Sequence, residues 1–116
     1  MRTDTMDMRA FFILKSLRLL YVEDDQATRE ELAIMLEPWL GALYVAADGQ
    51  AGLELFKSER PDIVVTDIQM PVLSGLAMSG EIRRLDAEVP IFIISAYNDT
   101  EYLFRAIDLV IDQYLS

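Results

Sequence analysis

The chain has 116 residues, which bounds it to one domain, and 53% of them are hydrophobic, ample for a core at that length. Twenty acidic against ten basic side chains leave a formal charge of −10, and no Lys/Arg cluster exists to neutralise phosphates, which argues against direct nucleic-acid binding. Cysteine and histidine are both absent, which excludes a disulfide framework, a thiolate nucleophile, a Cys-based zinc site, Ser-His-Asp chemistry and a phosphohistidine of the chain's own.

Residues 1–16, MRTDTMDMRAFFILKS, mix Met6, Arg9, Phe11, Phe12 and Leu14 without a clean amphipathic period. They read as an upstream extension or linker, either a short helix or a loose leader. The stretch FFILKSLRLLYV is interrupted by Lys15 and Arg18 and falls short of the roughly 18 apolar residues of a membrane span. No signal peptide is expected, and a cytoplasmic location fits a chain without cysteine. Residues 17–22, LRLLYV, form the first strand candidate and stop abruptly at Glu23-Asp24-Asp25. A helix is expected from Gln26 to about Glu37, with Asp25 as its N-cap and Ala27, Leu32, Met35 and Leu36 near helical spacing. Pro38 and Gly41 close that segment, or Pro38 kinks a helix that continues through Trp39 and Leu40.

Residues 43–46, LYVA, give a second strand, and Asp48-Gly49 turns the chain into a helix over 50–58 with Leu53 and Phe56 inward. In PDIVVTDIQMP, residues 61–71, the β-branched run of Ile63, Val64 and Val65 is too short for a helix and reads as a strand buried on both faces of a parallel sheet. A helix over 75–85 then carries Leu76, Ile82 and Leu85 on one side. Residues 91–94, IFII, form the fourth strand and end at Ser95-Ala96. Asn98 or Asp99 caps a further helix through about Leu109, and a fifth strand starts over 112–115. This alternation implies a parallel α/β sheet with helices on both faces and right-handed crossovers.

Parallel neighbouring strands would bring Glu23, Asp24, Asp67 and Ser95 to one edge, the carboxyl ends, where open α/β sheets bind ligands. Several carboxylates in a partly buried site cannot all stay ionised without a cation, because each charge disfavours the next. Mg²⁺ suits them: it takes one or two carboxylates plus waters and phosphate oxygens. With an Asp nucleophile beside it, the arrangement suggests phosphoryl transfer onto Asp67. Met70 and Met78 are read as packing residues, and Asp25 as a cap rather than a third ligand.

Taken together, YVEDD, VVTDIQMP and IISAYND resemble the receiver domain of two-component response regulators, stand-alone or fused to hybrid histidine kinases, from about Leu17 to Ser116. The resemblance implies a flavodoxin-like, doubly wound parallel five-stranded sheet of order 2-1-3-4-5, and the boundaries 1–16 for the extension and 17–116 for the receiver. It implies that Asp67 accepts a phosphoryl group from the phosphohistidine of a kinase or histidine phosphotransfer domain. Asp24 matches the direct Mg²⁺ ligand, Glu23 the ligand acting through water, and Gln69 the position whose backbone carbonyl completes the metal shell. Ser95 matches the switch hydroxyl, Tyr114 the aromatic switch residue of strand five, and Pro71 and Gly75 the residues shaping the loop after the acceptor. The family's Lys-Pro pair would follow Ser116, and Lys15 and Lys57, the only lysines, do not take its place. The last helix is thus expected to be missing, its sheet face covered by the apolar part of residues 6–14 or by a second copy in a homodimer. A haloacid-dehalogenase-type aspartyl-phosphate hydrolase, the alternative, needs an Asp two residues after the nucleophile, where this chain has Gln69. A degenerate module serving only for interaction is disfavoured by the three carboxylates.

Overall fold

The computed structural model describes residues 8–68, 70–94, 105 and 107–112. Four strands, β1 (Arg18–Val22), β2 (Ala42–Ala46), β3 (Ile63–Asp67) and β4 (Ile91–Ile94), form one sheet in the order β2-β1-β3-β4. All three pairings are parallel, with Leu20 beside both Tyr44 and Val64, and Val65 beside Phe92. Ile63, Val64 and Val65 of β3 are wholly buried, as a central strand covered on both faces requires.

Because side chains alternate along a strand, the register sorts the sheet residues into two cores. Leu19, Tyr21, Ile63 and Val65 face one side, where they meet Leu14 of helix α1 (Met8–Ser16), Leu32 and Leu36 of α2 (Gln26–Leu36), and Ile107, Val110 and Ile111. Leu20, Val22 and Val64 face the other, against Leu53 and Phe56 of α3 (Gly49–Glu59) and Met78 and Ile82 of α4 (Gly75–Leu85). No helix among the described residues is long and apolar enough to cross a membrane.

Three helices begin at the carboxyl edge, each with a side-chain cap. Asp25, Asp48 and Ser74 accept hydrogen bonds from the amides of Thr28, Ala51 and Ala77 at 2.9, 2.8 and 3.1 Å.

The structure selects between two pairs of open alternatives and corrects other expectations. Residues 8–16 are helical, with Leu14 buried on the sheet although Met8 and Phe12 lie exposed. α2 stops at Leu36, and Glu37–Trp39 form a 3-10 turn around Pro38 rather than a kinked continuation. α4 buries Gly75, Met78 and Ile82, while Leu76 and Leu85 face solvent. Its rotation is fixed by a backbone contact, because a Cβ on Gly75 would lie 2.0 Å from the Asp67 carbonyl oxygen, and that turns positions 75, 78 and 82 to the sheet.

The last described segment is helical through Asp112, so no strand starts at that residue, and the rest of the stretch expected as a fifth strand lies outside the described residues. Val110 and Ile111 lie three and four residues after Ile107, and all three are buried, which is a helical period. They and α1 occupy the face that was expected to lie open, so the described residues already place apolar cover there. No fifth strand occurs among the described residues.

Candidate functional site

Glu23 directly follows β1 and keeps one more ladder bond, its amide donating to the Ala46 carbonyl at 3.0 Å. That bond directs the side chain inward at the end of the sheet, where it is only 4% exposed. Asp24, the next residue, is exposed, and Asp67 ends β3 half-buried. Oxygens of the three carboxylates lie within 4.8 Å of one another. The structure thus brings together the three acidic residues expected from the sequence, whereas Gln69, Ser95 and Tyr114 lie outside the described residues.

Hydrogen bonds hold the cluster from below. The Asp25 amide donates to Glu23 Oε2 at 3.1 Å, and the Ile68 amide donates to Asp67 Oδ1 at 2.7 Å. Burial pushes the Glu23 carboxyl up to about 7; the Asp25 amide pulls the other way, and the charges of Asp67 and Asp24 add to the rise. The donor set is oxygen only, with neither imidazole nor thiolate, and three carboxylates this close repel one another unless a cation or a proton intervenes. Such a set fits a hard divalent ion.

The loop after Asp67 is clamped by backbone contacts. The Gly75 amide donates to the Ile68 carbonyl at 3.0 Å, and a Cβ on Gly49 would lie 2.0 Å from the Leu73 carbonyl oxygen, so the start of α3 presses on the same loop. The Leu73 amide reaches back to the Pro71 carbonyl at 2.8 Å across Val72, whose φ is 69°. This is a γ-turn with a β-branched residue in the left-handed region, strain on the order of 1–3 kcal/mol. Nothing in the sequence signals it, since valine disfavours that conformation.

Arg29 escaped the sequence reading. Its Nη1 donates to the Glu23 carbonyl at 2.9 Å and to the Asp24 carbonyl at 3.3 Å. The one available signal was a cation in the first turn of a helix, against the dipole.

A family profile described as the response regulator receiver domain matches residues 19–116. The chain belongs to that family. The receiver resembles the response regulator MprA of Mycolicibacterium vanbaalenii, 36% identical over 98 residues, covering 84% of this chain and 42% of that protein. It resembles the transcriptional regulatory protein AfsQ1 of Streptomyces coelicolor, 34% identical over 97 residues, with 84% and 43% covered. The receiver therefore spans about two-fifths of the length of these relatives. Among solved structures, the N-terminal domain of an uncharacterised Wolinella succinogenes protein superposes with a TM-score of 0.67 at 37% identity, covering 81% of this chain and 76% of that one. The response regulator TrrA of Thermotoga maritima, solved in complex with Mg²⁺ and a beryllium fluoride, superposes with a TM-score of 0.64 at 36% identity, with 72% of each chain covered. These likenesses and the parallel sheet agree on the flavodoxin-like receiver fold.

Proposed function

We propose that this receiver is the phosphoacceptor of a two-component phosphorelay, with Asp67 taking a phosphoryl group from a phosphohistidine on a histidine kinase or phosphotransfer domain. The observation that carries the reading is the convergence of Glu23, Asp24 and Asp67 at the carboxyl end of the two central strands. In the transfer, a carboxylate oxygen of Asp67 forms the new O–P bond as the P–N bond to the donor imidazole breaks, and the released nitrogen takes up a proton. Asp67 is half-buried and one of its oxygens is tied to the Ile68 amide, which restrains rotation of the carboxylate.

Mg²⁺ would be held by Asp24 and Asp67 directly, by Glu23 through water, and by the Gln69 carbonyl. When bound, it supplies the charge that lets three carboxylates and an incoming phosphoryl group coexist. The Mg²⁺ complex of TrrA and the oxygen-only donor set support this assignment. Ser95 and Tyr114 complete the reading as the switch hydroxyl and the switch aromatic. We place the domain, residues 17–116 after an extension over 1–16, in the cytoplasm, where its kinase would act. With a charge of −10, the chain leaves any contact with DNA to other parts of a regulator.

Incubation with phosphoramidate and Mg²⁺ should add the mass of one phosphoryl group in acid-labile form, and Asp67→Asn should abolish it. An undiminished addition in that variant would move the acceptor elsewhere. Asp24→Ala should weaken Mg²⁺ binding more than Glu23→Ala does, as calorimetry can measure.

A further inference from the structure

Arg29 is the fourth residue of α2, and its amide makes the first helical bond, to the Asp25 carbonyl at 2.9 Å. A cation there opposes the helix dipole, so the helix gains nothing from its charge. The half-buried side chain instead doubles back across the turn, where Nη1 donates to the Glu23 carbonyl at 2.9 Å and to the Asp24 carbonyl at 3.3 Å. One nitrogen thus bridges the two consecutive peptide groups whose residues carry two of the three clustered carboxylates.

We propose that Arg29 is the positioning residue of this acidic site, holding the peptide groups of Glu23 and Asp24 so that both carboxylates stay turned toward Asp67. The proposal rests on reading the cluster as a divalent-cation site. Glu23 is anchored on one side by its ladder bond to Ala46, but Asp24 lies beyond the sheet and before the helix, exposed to solvent. A turn about its backbone would carry its carboxylate away from the other two. The bridge from Arg29 resists that turn from the carbonyl side, as the Asp25 amide resists it at Glu23 Oε2.

Charge and geometry make opposite predictions for this residue. A guanidinium on the carbonyls of Glu23 and Asp24 repels another cation brought to their side chains, so if charge were its whole effect, removing it would tighten Mg²⁺ binding. If it fixes geometry, removing it loosens Mg²⁺ binding, and groups that orient metal ligands typically account for about 10–100-fold in affinity. Lysine keeps the charge on a stem one bond shorter and without the planar fork.

The test is calorimetric titration of Mg²⁺ into the wild-type chain, Arg29→Lys and Arg29→Gln, with the metal-free melting temperature of each recorded. We expect Arg29→Gln to bind Mg²⁺ about 10-fold or more weakly and Arg29→Lys to fall between it and wild type, with metal-free melting temperatures close to wild type. Unchanged or tighter binding by Arg29→Gln overturns the proposal while leaving the cation site intact. An affinity loss that tracks a loss of metal-free stability also overturns it, since the residue would then only anchor the helix. A wild-type chain that binds no Mg²⁺ removes the site itself and the proposal with it.

Discussion

Glu23 pairs near-complete burial with two carboxylate neighbours, and it keeps its proton to about pH 7 rather than the usual 4.5. Below about pH 4.5 the folded and unfolded chains both hold that proton, and the group costs nothing. Between 4.5 and about 7 the unfolded chain releases it while the folded chain retains it, so stability falls as pH rises, and the penalty is complete above about 7. The metal-free protein should therefore melt at a lower temperature at pH 8 than at pH 5.5, and Glu23→Gln should flatten that slope in a series of thermal melts. A slope identical in the variant would assign the effect to other groups. In the proposed cation site, Mg²⁺ would compete with the same proton, so its affinity should rise through pH 7. The positions of Glu23, Asp24 and Asp67 were legible because each follows the end of an apolar run. Arg29 was not, because it acts on backbone carbonyls, and no side-chain pattern records where a long cation folds back.

Two glycines in α4 separate a required absence of side chain from an incidental one. At Gly75 a Cβ would strike the Asp67 carbonyl oxygen, which also accepts the Thr66 hydroxyl at 2.9 Å, so neither neighbour is a flexible tip that can yield. At Gly80 nothing lies within 4 Å. Gly75→Ala should cost about 1–3 kcal/mol in urea unfolding. Gly80→Ala should stabilise by about 0.5–1 kcal/mol through helix propensity. Equal effects would mean that the start of α4 yields where the contact says it cannot. The four strands, the cap at Asp25, the turn at Asp48 and the inward Leu53 and Phe56 were readable from local pattern. The buried face of α4 was not, because it is set by that backbone contact and not by where its leucines fall. The helical end at 107–112 was misread at Asp112, although the spacing of Ile107, Val110 and Ile111 already carried a helical period.

Over the molecule as a whole, the parallel sheet and its two-sided covering follow from unbroken apolar strands alternating with helices, whereas the order β2-β1-β3-β4 was expected only from the resemblance to receiver domains. What the sequence left out was how residues 107–112 and α1 share one face, because that depends on which apolar surface finds which, and composition does not encode it. The sheet between the two cores has a thermodynamic consequence. Side chains on opposite faces share no partner, so perturbing one core should leave the energetics of the other untouched. Ile107→Val on one side and Ile82→Val on the other should each cost about 0.5–1.5 kcal/mol. The double variant should match their sum to within about 0.5 kcal/mol. Ile82→Val combined with Met78→Leu, one turn away in the same core, should depart from additivity. A sizeable coupling across the sheet would mean that the strands transmit strain between the faces instead of insulating them.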